Sequence, residues 1–169
     1  MRVLVTGAAG YIGSHTVIEL IERGDIEVIG LDNYANSSPR TYNRIEQITR
    51  KKIPYFDVDL SDKSAVQSFF SSQSKFDGVI HFAALKAVGE SVEEPLRYYR
   101  NNLNALLNTL EACVENKIPH FIFSSSCSVY GNAEELPVTE DSPLRKTESP
   151  YAETKAMGER ILKDIAQEN

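Results

Sequence analysis

Cysteine is almost missing from this chain of 169 residues: Cys113 and Cys127 are the only two, too few for a disulfide framework. The expected compartment is reducing and cytoplasmic. Histidine is equally sparse, and His15, His81 and His120 show no metal-ligand spacing with one another or with the cysteines. No metal site is expected. Positive charge is in deficit, with 18 Lys plus Arg against 24 Asp plus Glu and a formal net charge of −6, whereas proteins that track nucleic-acid phosphates carry the opposite balance. The single dense basic run, Arg50-Lys51-Lys52, reads as a solvated helix end. Long apolar runs are missing too, since Val3-Leu4-Val5 is broken at once by Thr6 and Gly7 and no later stretch reaches the length of a membrane span. Nucleic acid, membrane and secretion are therefore not expected.

What is present is an ordinary globular composition, 41% hydrophobic and 25% charged. A chain of this length buries about 70% of its surface on folding, enough for a sizeable core, and residues 1–169 read as one domain. Val3–Val5 is a short β-branched run suited to a strand buried on both faces. Apolar residues at helical spacing then fill Tyr11–Arg23, with Gly24 at the stop. The alternation continues with a strand over Glu27–Leu31, a helix around Tyr42–Lys51, a strand over Tyr55–Val58 and a helix over Asp62–Ser72. A strand over Gly78–Phe82, a long helix from Pro95 to Asn116 and a fifth strand over His120–Ser125 follow. Gly131–Glu148 is polar, carries Pro137 and Pro143, and reads as a long loop. A last helix starts at Pro150 and runs toward Asn169. Strands alternating with helices of this length predict an α/β fold, a doubly wound parallel sheet of the Rossmann type.

Thr6-Gly7-Ala8-Ala9-Gly10-Tyr11-Ile12-Gly13 lies between the first strand and the first helix. Three glycines in seven residues suit a tight turn, a close backbone approach to a pyrophosphate, and close packing of helix on strand. The helix start adds N–H donors and a positive dipole end. Gly7, Gly10, Tyr11, Ile12 and Gly13 are therefore candidate dinucleotide contacts. Asp32 ends the second strand, where such a unit places an acid to accept from the adenosine ribose, so NAD is expected over NADP.

Tyr151 and Lys155 stand four residues apart at the start of the last helix, on one face. Chance alone gives ~0.4 such pairs in this composition, so position carries the argument. The pair follows the fifth strand and its Ser124-Ser125-Ser126, on the sheet edge where doubly wound folds bind ligands. A tyrosine has an ordinary pKa near 10, so its use as a base near pH 7 needs ~4 kcal/mol of phenolate stabilisation, which a neighbouring ammonium can help supply.

The chain resembles the extended short-chain dehydrogenase/reductases, and within them those that epimerise UDP-hexoses. Besides the glycines and the Tyr-Lys pair, the resemblance rests on Leu31-Asp32-Asn33, on the run His81-Phe82-Ala83-Ala84-Leu85-Lys86-Ala87-Val88-Gly89-Glu90-Ser91, and on Tyr98-Tyr99-Arg100-Asn101-Asn102. Phe123-Ser124-Ser125-Ser126, Val129-Tyr130-Gly131 and Ser149-Pro150-Tyr151 match as well. Dehydratase members carry an acidic pair where this chain has Cys127 and Ser128, which disfavours that activity. The resemblance implies Tyr151 as base, Lys155 as the lysine that lowers its pKa and holds the nicotinamide ribose, and Ser126 as hydrogen-bond partner of the reacting sugar oxygen. It implies Asp32, Asn33, Asn36 and Ser37 at the adenosine half, Asp59 and Leu60 at the adenine, and Phe82, Ala83, Lys86 and Asn101 along the rest of a tightly held NAD.

The implied reaction is reversible inversion at C4 of a UDP-hexose, between UDP-glucose and UDP-galactose, through a 4-keto sugar. Members of the family continue into further strands and a C-terminal substrate domain, so residues 1–169 read as the NAD-binding part alone, with little turnover expected from it. Two other readings stand beside this one: an NAD-dependent sugar-nucleotide reductase or dehydrogenase, and a non-catalytic dinucleotide-binding module. The long helix from Pro95 is a candidate for pairing in a homodimer.

Overall fold

The computed structural model describes residues 1–168, with side chains through residue 166. Among the described residues, five strands and six α-helices follow in the order β1 Arg2–Thr6, α1 Tyr11–Arg23, β2 Glu27–Asp32, α2 Arg40–Thr49, β3 Tyr55–Asp57, α3 Lys63–Ser72, β4 Gly78–His81, α4 Val88–Glu93, α5 Pro95–Glu115, β5 His120–Phe123 and α6 Pro150–Glu168. All pairings are parallel, in the order β3-β2-β1-β4-β5, with Leu4 opposite both Ile29 and Val79. This is the doubly wound, Rossmann-like sheet expected from the alternation. Its order reverses between β1 and β4, the point beside which such sheets bind their ligands.

The elements obey local rules. Gly10 precedes α1, and Gly24 closes it in the left-handed region at φ 81°. Asp62 caps α3, its carboxylate accepting from the N–H groups of Ser64 and Ala65. The helix expected around Tyr42–Lys51 runs two residues earlier at both ends, because Arg50 turns left-handed at φ 58° and stops it. Sequence periodicity missed the six-residue α4 and the 3-10 turn Cys127–Tyr130, both too short to show a period. The expected end of the last helix, Asn169, lies outside the described residues.

The chain divides into two compact units, one of residues 1–84 and 104–124, the other of residues 85–103 and 125–169. The first unit holds the sheet, and each face carries a core. One is built on Leu4, Ile29, Leu31, Phe69, Phe70, Phe76 and Val79, the other on Val3, Val5, Val17, Ile21, Val28, Tyr42 and Ile45. Fully burying a side chain of this size contributes about 1.5–3 kcal/mol, so these contacts hold β1, β2 and β4 rigidly behind the loops at their C-terminal ends. In the second unit, α6 packs against α4 and against the 3-10 turn. Tyr98, Leu85, Val129, Ala152 and Thr154 are buried there. No helix among the described residues is long and apolar enough to cross a membrane.

Candidate functional site

The first unit holds the glycine loop. Gly7 has φ 67°, and a Cβ on it would come within 2.8 Å of the Ala83 nitrogen, so the loop after β1 and the loop after β4 touch where only hydrogen fits. A Cβ on Gly13 would stand 2.2 Å from the Gly7 carbonyl oxygen, which fixes α1 directly behind the turn. Thr6 joins the two loops from below: its hydroxyl lies 3.0 Å from His81 Nδ1 and accepts the Ala83 N–H at 3.4 Å. The first turn of α1 contains no acidic residue and no side chain caps it. Its opening N–H groups, including those of Tyr11 and Ile12, have no intrahelical acceptor, and with the helix dipole they favour an anion.

Asp32 is buried at the end of β2. One carboxylate oxygen accepts the Ala9 N–H at 2.9 Å, and the other accepts from the Tyr34 N–H at 2.9 Å and the Ser37 hydroxyl at 2.7 Å. The acid therefore closes the glycine loop, a bracing role that strand-end position did not reveal. A carboxylate accepts about four hydrogen bonds, so capacity for one more remains. Asn33 and Asn36 are exposed, and the Asn33 side chain accepts from the Ala35 N–H at 3.1 Å. Asp59 accepts from the N–H and hydroxyl of Ser61, while Leu60 is buried with its carbonyl taken by Asn108 at 2.8 Å. Phe82 and Ala83 are half-buried just past β4. The cavity lined by Met1, Arg2, Asp25, Glu27 and Asp77 opens at the other, N-terminal ends of β1 and β2 and touches none of these residues.

The second unit holds Lys86, Asn101, Ser126, Tyr151 and Lys155. Ser126 precedes the 3-10 turn, and its oxygen accepts the Ser128 N–H at 3.3 Å. Tyr151 and Lys155 are one helical turn apart on α6, Tyr151 half-buried and Lys155 only 4% exposed. Burial pushes the Lys155 ammonium down from its ordinary 10.5 to about 8. The shift is an energetic statement. The unfolded chain holds the extra proton between about pH 8 and 10.5, so native stability rises with pH across that window and the cost is present in full below it. Lys155→Met removes this titration, so its stability relative to the parent is expected to fall as the pH rises from about 8 toward 10.5. Denaturant unfolding of both forms from pH 7 to 10 checks this, and a constant difference throughout would show that the ammonium is not desolvated.

Two side chains that motif reading did not assign hold this half together. Buried Asn102 brackets Leu85, accepting its N–H at 2.8 Å and donating to its carbonyl at 2.9 Å. The same amide donates to Thr154 at 3.1 Å and accepts from Asn101 at 2.9 Å, so all its capacity is used. Tyr98 is fully buried, accepts the Ala87 N–H at 3.1 Å and donates to Glu90 at 2.5 Å. Burial foremost, then the Glu90 carboxylate, pushes this phenol up to about 12, so it stays a donor. Exposed Lys86 lies between the two residues so held, Leu85 and Ala87. Both anchors belong to the run Tyr98–Asn102 that carries the resemblance, but that run assigned neither of them a role.

A doubly wound sheet with a glycine cradle at its switch point, and a lysine buried one turn from a tyrosine, defines a dinucleotide-binding α/β protein. The chain belongs to the NAD dependent epimerase/dehydratase family, whose profile matches residues 3–169. Among its relatives it is similar to a UDP-glucose 4-epimerase of Caenorhabditis elegans, 48% identical over 178 aligned positions that cover 100% of this chain and 50% of that protein. Another, from Bacillus subtilis, is 49% identical over 165 positions, covering 98% of this chain and 48% of the relative. The solved structure of UDP-glucose 4-epimerase from Bifidobacterium longum in complex with NAD+ and UDP superposes with a TM-score of 0.95 at 46% identity, over 100% of this chain and 50% of that one. The chain thus spans about half the length of the relatives it matches.

Proposed function

We propose that this chain is the NAD-binding part of an enzyme that reversibly inverts C4 of a UDP-hexose, interconverting UDP-glucose and UDP-galactose. One observation carries it: Lys155 is buried one helical turn from Tyr151, on a helix packed against the turn that Ser126 opens. The glycine cradle supports NAD as the cofactor, because the close backbone contacts that Gly7 and Gly13 allow set the turn before α1, whose N-terminus is free of acidic charge. The Bifidobacterium longum relative holds NAD+ and UDP. Asp32 favours NAD over NADP, since a carboxylate that can accept one more hydrogen bond welcomes a ribose hydroxyl and repels a 2′-phosphate.

When bound, NAD would supply the hydride acceptor and donor at C4. The chain's residues do the rest. The first-turn N–H groups of α1 hold the pyrophosphate, and Asp32, with Asn33, Asn36 and Ser37, holds the adenosine ribose. Asp59, Leu60, Phe82 and Ala83 border the adenine and the middle of the cofactor, and Lys86 and Asn101 its nicotinamide end. Tyr151 takes the proton from the sugar 4-hydroxyl and later returns it. Lys155 favours the phenolate by its charge and donates to the nicotinamide ribose, and Ser126 orients the sugar oxygen by hydrogen bonding. Residues beyond this chain would grip the uridine.

A version of the protein with the full length of its relatives is expected to convert UDP-galactose to UDP-glucose with NAD retained. Net accumulation of NADH would mark a dehydrogenase instead, and cofactor binding with no change to any UDP-sugar would mark a binding module.

A further inference from the structure

Ser125 and Glu159 have no part in the site as described, yet their side chains meet. The Ser125 hydroxyl donates to Glu159 Oε1 in a partly buried hydrogen bond. Each partner is attached to an element that carries a reacting group. Ser125 immediately precedes Ser126, whose oxygen caps the 3-10 turn and lies 2.9 Å from the Ser128 hydroxyl. Glu159 lies four residues beyond Lys155 and eight beyond Tyr151 on α6, so the three share one helix face. A second acid of this helix, Glu153, is differently engaged: it accepts from Thr147 at 2.6 Å and pairs with Arg160 at 2.8 Å, serving the loop before α6. Glu159 alone of the two reaches the serine turn.

A hydrogen bond to a carboxylate is roughly twice as strong as one between neutral groups, and it has one preferred length. Placed one residue from Ser126, it sets how far that hydroxyl stands from the helix that carries Tyr151. We infer that Glu159 is a positioning residue: by holding Ser125 it registers the Ser126 hydroxyl against α6, so that Ser126 and Tyr151 address the same sugar oxygen. This rests on the C4 inversion proposed above.

The test measures kcat, KM for UDP-galactose and NAD content in a full-length version carrying Glu159→Ala, Glu159→Gln, Ser125→Ala, or both alanines. Misplacing a reacting group by about 1 Å costs up to about 10²-fold, so each single alanine is expected to lower kcat by about tenfold or more while KM and NAD content stay near those of the parent. The double variant should be no slower than either single one, because both remove one bond. Glu159→Gln keeps an acceptor oxygen and should retain most of the turnover. Single variants with parental kcat, losses that multiply in the double variant, or NAD lost in step with kcat would each overturn the role. Should Glu159→Ala not fold, Ser125→Ala removes only a hydroxyl and decides the matter. Tyr151→Phe, run alongside, separates the two ideas: turnover that survives it overturns the reaction itself, whereas its loss beside an unimpaired Ser125→Ala overturns only the positioning.

Discussion

Tyr151→Phe, in a version of the protein with the full length of its relatives, is expected to leave NAD bound and to lower kcat by about 10²–10⁴-fold, the usual contribution of a general acid–base group. The substitution removes one oxygen and keeps the ring. Tyr151 is half-buried on α6, and the neighbouring Ser149 side chain, not the phenol, caps that helix by accepting the Ala152 N–H at 3.2 Å. The helix should therefore form unchanged. Lys155 is buried one helical turn away, so its proposed hold on the cofactor should persist as well. Conversion of UDP-galactose to UDP-glucose is followed with NAD content measured on the same sample. Near-parental turnover at equal NAD occupancy would make the tyrosine structural and the proposed chemistry wrong.

Gly13→Ala in the present chain is expected to weaken NAD binding by about a hundredfold, the equivalent of one or two hydrogen bonds to a charged group. The new methyl would stand 2.2 Å from the Gly7 oxygen and 2.9 Å from the Gly7 carbonyl carbon. Both are backbone atoms, so either the turn or the start of α1 must move, and the N–H groups proposed to hold the pyrophosphate move with it. Gly89→Ala is the control, because nothing lies within 4 Å of the added carbon. Calorimetry with NAD reads both variants, with far-ultraviolet circular dichroism confirming that each is folded. Unchanged NAD affinity in Gly13→Ala would mean the loop is no cradle, and the same titration with NADP tests Asp32: equal or tighter binding would remove its proposed preference for NAD.

The legible parts of this protein are those where structure is local. Val3–Val5, the three glycines and the apolar stripe of Tyr11–Arg23 lie within one short stretch, and strand burial, turn conformation and helical periodicity are each decided there. The repeat of that pattern forecast the parallel sheet, since parallel strands need long crossovers and these turn one way. The misses have the opposite character. α4 has six residues, fewer than two turns, so no stripe could mark it. The bond from the Ala9 N–H to Asp32 was not foreseen, because it depends on β1 and β2 lying side by side.

By itself, then, the sequence determined the order and type of the longer elements, though not α4 or the 3-10 turn, together with the three-glycine turn and the Tyr-Lys spacing, because each depends on residues close along the chain. Only the tertiary structure decided that Lys155 is buried enough to lose affinity for its proton, that Asn102 ties Leu85 to Thr154, and that Ser125 reaches Glu159. These pairs stand up to 52 residues apart. A polar side chain can satisfy its hydrogen bonds with any donor or acceptor brought near it, and which one arrives is settled by how helices and strands distant in sequence pack their apolar faces.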